Sequence, residues 1–185
     1  MACIATSVAA CQQTKANSAA AERMHPEYDN ATGRLKRLQW DSKGDGKIDT
    51  WGYMDGAQVV RVEVDEDGDG KVDRWEYHRA PAAGGSSGPD KTIEHIEQST
   101  RHDGKVSRWE YFDETGSLAR IEEDTDGDGK VNKWETYKDG ALSMMALDTQ
   151  GHGKPDRRLI YRPDGTLDRI ETDPTGSGQF SPLPQ

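Results

Sequence analysis

Apolar side chains occur along the chain in pairs whose members lie three residues apart. The first members recur at intervals of 24, 34, 25, 24 and 25 residues, and they are Leu35, Val59, Ile93, Leu118, Leu142 and Leu167. The second members are Leu38, Val62, Ile96, Ile121, Met145 and Ile170. A recurrence this regular indicates a tandem array of six units that share one kind of core.

The segments between turns predict strands. Each is only about eight residues long, which is short for a globular helix, and each is rich in β-branched and aromatic residues. All six tyrosines and four of the five tryptophans keep the same period: Tyr28, Tyr53, Tyr77, Tyr111, Tyr137, Tyr161, Trp51, Trp75, Trp109 and Trp134. Asp-Gly pairs at 55–56, 139–140 and 164–165 favour tight hairpin turns.

The predicted fold is therefore all-β, built from two-stranded repeats of about 24 residues. These repeats are expected to form an elongated antiparallel meander or a β-solenoid, with the acidic loops on one edge. Side chains on one face of a regular strand lie two residues apart, so an apolar spacing of three predicts a bulge or a solenoid corner in each unit. The array is expected over 28–173, with a flexible Ala/Gly/Ser/Pro-rich insertion at 80–90 and a disordered tail at 174–185.

Two of the acidic loops carry the spacing of a full set of calcium ligands. In twelve-residue windows, side-chain oxygens fall at positions 1, 3, 5, 9 and 12, glycine stands at position 6, and a lysine carbonyl stands at position 7. The ligands are Asp65, Asp67, Asp69, Lys71, Asp73 and Glu76 in the second unit, and Asp124, Asp126, Asp128, Lys130, Asn132 and Glu135 in the fourth. A hard cation takes about six to eight oxygens, and alternate side chains wrap around it only where the chain turns sharply at a glycine. We therefore predict calcium in both loops.

Over these windows the sequence resembles the calcium loops of EF-hand proteins. The flanking segments, such as 59–64 and 75–78, are predicted strands, so no helix-pair switch is expected. The repeat as a whole more closely resembles the calcium-loop arrays of bacterial surface proteins, and at its Tyr-x-Asp-Gly and Tyr-x-Pro-Asp-Gly turns it resembles MORN-type hairpin repeats. The first likeness implies an extracellular structure that calcium loops hold together, and the second, which depends on these turns alone, is the weaker likeness.

The other four loops depart from the calcium pattern. The first keeps Asp41, Asp45, the carbonyl of Lys47 and Asp49, but it has Lys43 at position 3 and Gly52 at position 12. A cation at a ligand position weakens a calcium site, so the first loop is predicted to be a weaker one. The third, fifth and sixth loops lack most of the carboxylates and are expected to be structural turns.

The N-terminal segment resembles a bacterial lipoprotein signal. Small residues at 7–10 precede Cys11, as in a lipobox, and the polar, alanine-rich residues 12–27 are suited to a flexible tether. The resemblance implies a signal over 1–11, lipidation of Cys11 and a place in the outer membrane or at the cell surface. Export would also expose the loops to the high calcium concentrations that low-affinity sites need, since extracellular calcium modules bind with dissociation constants on the order of 10⁻⁴–10⁻³ M.

Composition narrows the function. The chain has 34 acidic and 24 basic residues, a net charge of −10, which argues against binding nucleic acid. Leu, Ile, Val and Phe together number 25 of 185 residues, so the core is thin. The sequence has no nucleophile elbow, phosphate-binding loop or paired metal-binding histidines, so no enzymatic activity is expected.

The predicted function is calcium binding that stiffens an exported, lipid-anchored array. The alternative is an interaction module that binds polysaccharide or protein, or that self-assembles, with the loops as turns.

Overall fold

The fold is a single antiparallel sheet of short strands joined alternately by hairpin turns and acidic loops. A computed structural model describes residues 21–79 and 93–183. The strands are β1 Met24–Tyr28, β2 Leu35–Trp40, β3 Thr50–Asp55, β4 Gln58–Val64, β5 Arg74–His78, β6 Ile93–Gln98, β7 Arg108–Phe112, β8 Leu118–Glu123, β9 Lys133–Lys138, β10 Ala141–Leu147, β11 Arg157–Tyr161, β12 Leu167–Thr172 and β13 Ser181–Pro182.

Each strand pairs with its neighbours in sequence, so the spatial order of the strands is their chain order. Every pairing is antiparallel. The all-β prediction is confirmed, and of the two predicted architectures the meander is the one observed. No helix in the part of the chain that the structure describes is both long enough and apolar enough to cross a membrane.

A bulge recurs at the hairpin end of each unit and explains the apolar spacing of three. In β3 and β4, Tyr53 pairs with Arg61 and Met54 pairs with Val59, which leaves Val60 as the extra residue. The same shift leaves one extra residue between the two apolar positions in all six units: Lys36, Val60, Glu94, Ala119, Ser143 and Asp168. An extra residue bends the strand and restores the apolar pair to one face.

Of the predicted Asp-Gly pairs, the one at 139–140 forms a two-residue hairpin turn, whereas Asp55 ends β3 and residues 164–165 lie in the longer turn between β11 and β12. At the turn between β9 and β10, Asp139 and Gly140 both have positive φ, 52° and 78°. Two consecutive residues in this region make the two-residue turn whose twist matches that of the flanking strands.

The sheet has one layer and little apolar core. Among the described residues, the buried hydrophobic side chains are Ile96, Ile121 and Ala146. The buried polar side chains outnumber them and lie, with one exception, in the acidic loops: Asp41, Asp49, Asp65, Asp73, Ser99, Ser107, Asp124, Asp156 and Asp173, with Glu135 as the exception on β9. Most of the buried side chains among the described residues thus belong to the two ends of the acidic loops, whose middle residues are mostly exposed.

One face of the sheet carries a row of tyrosines that alternate with basic side chains. Strand pairing places these residues side by side, and we call them the tyrosine row: Arg37, Tyr53, Arg61, Tyr77, His95, Tyr111 and Arg120. The guanidinium carbon of Arg61 lies 4.3 Å from the Tyr53 ring centre, and that of Arg120 lies 4.1 Å from Tyr111. The rings of Tyr77 and His95 stack at 4.2 Å. Such contacts stabilise a sheet face that no second layer covers within residues 21–79 and 93–183.

The sheet is longer than the predicted array at both ends. Strand β1 lies mostly within the predicted tether, and β13 lies within the predicted disordered tail. Both form because a neighbouring strand offers an unpaired edge: β1 pairs along β2, and β13 adds two pairings to β12. The predicted signal, Cys11 and the insertion at 80–90 lie outside the described residues.

Candidate metal centre

Six loops connect the units, and they share one backbone conformation. We number them by their first residue: loop 1 starts at Asp41, loop 2 at Asp65, loop 3 at Ser99, loop 4 at Asp124, loop 5 at Asp148 and loop 6 at Asp173. Positions 4 and 6 have positive φ in every loop. Glycine fills eleven of these twelve positions, and His102, with φ of 54°, fills the other. Glycine adopts this conformation without the steric cost that side chains incur.

The residue at position 1 holds the loop closed by accepting hydrogen bonds from its backbone. In loop 2, Asp65 Oδ1 accepts from the Gly68 amide at 2.6 Å and Oδ2 accepts from the Gly70 amide at 2.9 Å. In loop 4, Asp124 accepts from Gly127 and Gly129 at 2.6 and 3.0 Å. Burial alone would raise the pKa of Asp124, but these amides and the nearby Arg101 outweigh it and lower the pKa.

The residue at position 9 closes the loop from the other side. Asp73 Oδ2 accepts from the Glu66 amide at 3.0 Å, and Asn132 Oδ1 accepts from the Thr125 amide at 3.0 Å. An acceptor at position 9 therefore fixes the residue at position 2, whether it is a carboxylate or an amide.

Successive loops are also bonded to one another. The amide of Asp65 donates to the carbonyl of Asp49 at 2.8 Å, and the amide of Asp124 donates to the carbonyl of Ser107 at 2.8 Å. The same bond from position 1 to position 9 of the preceding loop recurs at loops 3, 5 and 6. The loops thus form a hydrogen-bonded ladder along one edge of the sheet.

Three carboxylates converge in each of the two loops that match the calcium pattern. One oxygen from each of Asp65, Asp67 and Asp69 lies within 4.8 Å of the other two, and Asp124, Asp126 and Asp128 form the matching group in loop 4. The first member is buried and the other two are exposed in each group. Converging carboxylate oxygens at this spacing can hold a metal ion, and they are the ligands that hard cations prefer.

The remaining predicted ligands lie elsewhere in these loops. Lys71 pairs its ammonium with Asp69 at 2.7 Å, and this hydrogen bond is the largest cause of the lowered pKa of Asp69. Lys130 donates its backbone amide to Asp128 at 2.8 Å. Asp73 and Asn132 hold position 2, as described above. These residues shape the loops from which the three-carboxylate groups project.

The two position-12 glutamates lie on strands, outside the three-carboxylate groups. Glu76 pairs with Arg74 at 2.8 Å. Glu135 pairs with Lys133 at 2.8 Å and accepts a 2.8 Å hydrogen bond from Tyr137. Burial and this hydrogen bond raise the pKa of Tyr137 to about 12. The converging set in each loop is therefore positions 1, 3 and 5.

Loop 1 has the shared backbone without a converging acidic group of this kind in the described residues. Asp41 accepts from the amides of Gly44 and Gly46, and Asp45 accepts from the amide of Lys47. Asp49 accepts from the amides of residues 42 and 43. The carboxylates of this weaker predicted site thus serve the loop's own backbone.

The cations that occupy position 3 in loops 1 and 3 reach into the following loop. Lys43 Nζ donates to the carbonyls of Asp65 and Glu66 at 3.1 and 3.0 Å. Arg101 donates to the carbonyl of Asp124 at 3.1 Å and to its carboxylate at 3.2 Å. Each complete loop is therefore braced by a basic residue from the loop before it, an arrangement that the sequence analysis missed.

The comparisons with known proteins do not assign the chain to a family. No protein-family model matches it, and no curated protein gives a significant match. Matching solved structures include TarM, at 12% identity and a TM-score of 0.25 over 69% of this chain and 22% of TarM. They also include an S. aureus TarM mutant in complex with Fondaparinux, alpha-GlcNAc-glycerol and UDP, at 11% identity and a TM-score of 0.26 over 72% of this chain and 23% of that one. TcdB2-TccC3 matches at 13% identity and a TM-score of 0.25 over 85% of this chain and 11% of that chain. The chain spans less than a quarter of each.

Proposed function

We propose that this chain is a non-enzymatic calcium-binding repeat protein in which calcium stiffens the array. The observation that carries the proposal is the convergence of three carboxylates within 4.8 Å in each of loops 2 and 4. Three like charges this close repel one another, and a divalent cation removes that repulsion while it fixes the loop.

The loop ladder supports a stiffening role. Because the amide at position 1 bonds the carbonyl of the preceding position 9, an ion that orders loop 2 also restrains the junctions with loops 1 and 3. An ion that binds only the folded loop adds its binding free energy to folding. At ten to a hundred times the dissociation constant, each site adds about 1.4–2.7 kcal/mol.

A calorimetric calcium titration of the full-length chain tests the proposal. We expect two sites, with one lost in Asp67→Asn, one in Asp126→Asn and both in the double variant. Asparagine keeps the Oδ1 acceptor that holds the amides of Asp69 and Asp128, so the loops stay closed. Glu66→Gln is the matched control, because it removes one negative charge from loop 2 outside the converging group. Binding that survives the double variant would contradict the proposal.

We further propose that the array is exported and anchored through lipidated Cys11 to the bacterial outer membrane or cell surface. The lipobox-like residues 7–10 and the calcium requirement of weak extracellular loops support this placement. Mass spectrometry of the membrane fraction should detect a diacylglyceryl-modified cysteine that Cys11→Ser abolishes. Unmodified protein in the cytoplasmic fraction would contradict the anchor and leave the calcium proposal standing.

A second candidate function is an interaction module that binds polysaccharide or protein, and the tyrosine row favours it. The row presents aromatic rings and guanidinium groups on a sheet face that no other described part of the chain covers. Tyrosine and arginine side chains are common at binding surfaces for planar or acidic partners. An interaction module should lose partner binding in Tyr53→Ala and keep it in Asp67→Asn with Asp126→Asn. A calcium-stiffened array should instead lose its calcium-dependent stability in Asp67→Asn with Asp126→Asn and keep it in Tyr53→Ala.

A further inference from the structure

A histidine from loop 3 faces the acidic residues of loop 2. His102 stands at position 4, where the other five loops have the glycines Gly44, Gly68, Gly127, Gly151 and Gly176. Its φ of 54° is a conformation that a side chain adopts less readily than glycine. Loop 3 therefore holds an imidazole at a backbone position for which glycine is the better residue.

Two carboxylates of loop 2 lie close to this imidazole. His102 Nδ1 is 3.2 Å from Asp73 Oδ1 and 4.0 Å from Asp67 Oδ2. One ligand atom from each of the three residues lies within 4.8 Å of the other two. The second oxygen of each carboxylate is bonded to the loop backbone, Asp73 Oδ2 to the Glu66 amide and Asp67 Oδ1 to the Asp69 amide. The backbone thus orients both carboxylates, as outer-shell contacts do in metal sites.

Asp73 Oδ1 is the atom that points most directly to a ligand. The Asp73 side chain is 1% exposed, and within residues 21–79 and 93–183 no donor meets Oδ1 with the geometry of a hydrogen bond, although the His102 imidazole lies 3.2 Å away. A buried carboxylate oxygen is costly unless a cation meets it, and either a protonated His102 or a metal ion held between His102 and Asp73 would do so. Asp73 is not a member of the Asp65–Asp67–Asp69 group, so a cation in that group leaves this oxygen to be satisfied from the side of His102.

We propose that Asp67, Asp73 and His102 form a second metal site, which binds a divalent transition-metal ion of the zinc class. One imidazole nitrogen with two carboxylate oxygens suits zinc and its neighbours, whereas calcium takes oxygen ligands. Two ligands about 2.0–2.1 Å from a tetrahedral ion lie roughly 3.4 Å apart, and the two measured distances fall on either side of this value. His102 and Asp67 are 47% and 42% exposed, so water completes the shell.

Cobalt(II) is a suitable probe, because its visible absorption reports a site of nitrogen and oxygen ligands and zinc displaces it. The titration uses the full-length chain with Cys3→Ser and Cys11→Ser, so that thiolates do not contribute. We expect a single zinc-displaceable Co²⁺ per chain and a loss of affinity of about tenfold or more in His102→Gln. His152→Gln, which changes a histidine in loop 5, is the matched control and should bind Co²⁺ as the parent does. Equal binding in His102→Gln, or no Co²⁺ absorption in the parent, would overturn the proposal.

Calcium calorimetry on the same variants separates this site from the proposed calcium function. His102→Gln should keep both calcium sites, since the imidazole is not a member of either three-carboxylate group. Asp67→Asn should weaken both ions in loop 2, because both use Asp67. Cobalt binding without calcium binding would uphold the second site and reject the calcium function. A His102→Gln variant that binds Co²⁺ normally would reject only the second site.

Discussion

Loops 2 and 3 have the same backbone conformation but different chemistry at the positions that close them. Loop 2 uses Asp65 at position 1, whereas loop 3 uses Ser99, whose hydroxyl accepts from the amides of Asp103 and Gly104 at 3.1 Å. At position 9, Ser107 accepts from the Thr100 amide at 3.1 Å, as Asp73 accepts from Glu66. Both loops therefore need a hydrogen-bond acceptor at positions 1 and 9, and the acceptor can be neutral.

The charge in loop 2 therefore exceeds what its backbone requires. Loop 3 has Arg101 and Asp103 at positions 3 and 5, where loop 2 has two aspartates, and it keeps the same conformation. The extra carboxylates of loop 2 accept backbone hydrogen bonds that need an acceptor but no charge, and their charges repel one another. A bound cation is the physical reason that we propose for them.

The largest expected effect comes from removing the acceptor at position 1. In chelator, Asp65→Ala should destabilise the chain by about 2–4 kcal/mol, because the Gly68 and Gly70 amides lose their acceptor. Asp65→Ser should destabilise the chain much less, since the hydroxyl of Ser99 accepts the corresponding backbone hydrogen bond in loop 3. Urea denaturation of both variants measures the difference. Equal losses would show that the charge, and not the acceptor, closes the loop.

The next effect is a gain of calcium binding in loop 3. Ser99→Asp, Arg101→Asp and Ser107→Asp together give loop 3 the acidic pattern of loop 2. Calorimetry should show a third site, worth about 1.4–2.7 kcal/mol at ten to a hundred times its dissociation constant. Ser99→Asn, Arg101→Gln and Ser107→Asn form the neutral control. A redesigned loop that stays closed and binds no calcium would break the proposed link between acidic pattern and ion.

A smaller effect should come from the glycine at position 6. Gly70 has φ of 91° and open space where a Cβ would lie, so Gly70→Ala is strained by its backbone alone. We expect a loss of about 1 kcal/mol by thermal or urea denaturation. Gly52→Ala is the control, because Gly52 lies in β3 and a Cβ there would meet Leu38 at an ordinary 3.9 Å. A loss as large in Gly52→Ala would show that packing, not φ, sets the cost.

The smallest effect is a difference in acid sensitivity between loops 3 and 5. Burial alone would raise the pKa of Asp148, but the backbone amides of Gly153, His152 and Gln150 outweigh it and lower the pKa. A lowered folded pKa stabilises the protein above the unfolded pKa of about 3.9, and the gain is lost as pH falls through the folded value. Hydrogen exchange should show the Gly153 amide losing protection in acid before Gly104, which bonds the neutral Ser99 hydroxyl.

The sequence was sufficient to predict the repeated strands, because they follow from local periodicity, but it left a bulge or a solenoid corner as the cause of the spacing of three. It missed most of β1 and all of β13, which form by pairing with a neighbouring strand. The directions of Glu76 and Glu135 could not be predicted from the calcium pattern, since strand pairing fixes them. Glu76 stands between Val62 and Ile96 across the sheet, and there it meets Arg74. The approach of His102 to loop 2 depends on the stacking of loops about 30 residues apart in sequence, which no local pattern contains.

The strict chain order of the strands has a mechanical consequence. With neighbouring strands about 4.8 Å apart, β1 and β13 lie at opposite edges, roughly 58 Å from one another along a flat sheet. A force that pulls the two ends of the chain apart would break the backbone hydrogen bonds of one strand pair at a time. The hydrogen bonds between successive loops would add resistance at the edge of the sheet that carries the loops. Ions bound in loops 2 and 4 would make these two loops harder to pull apart than the others, so the array would unfold under force in discrete steps.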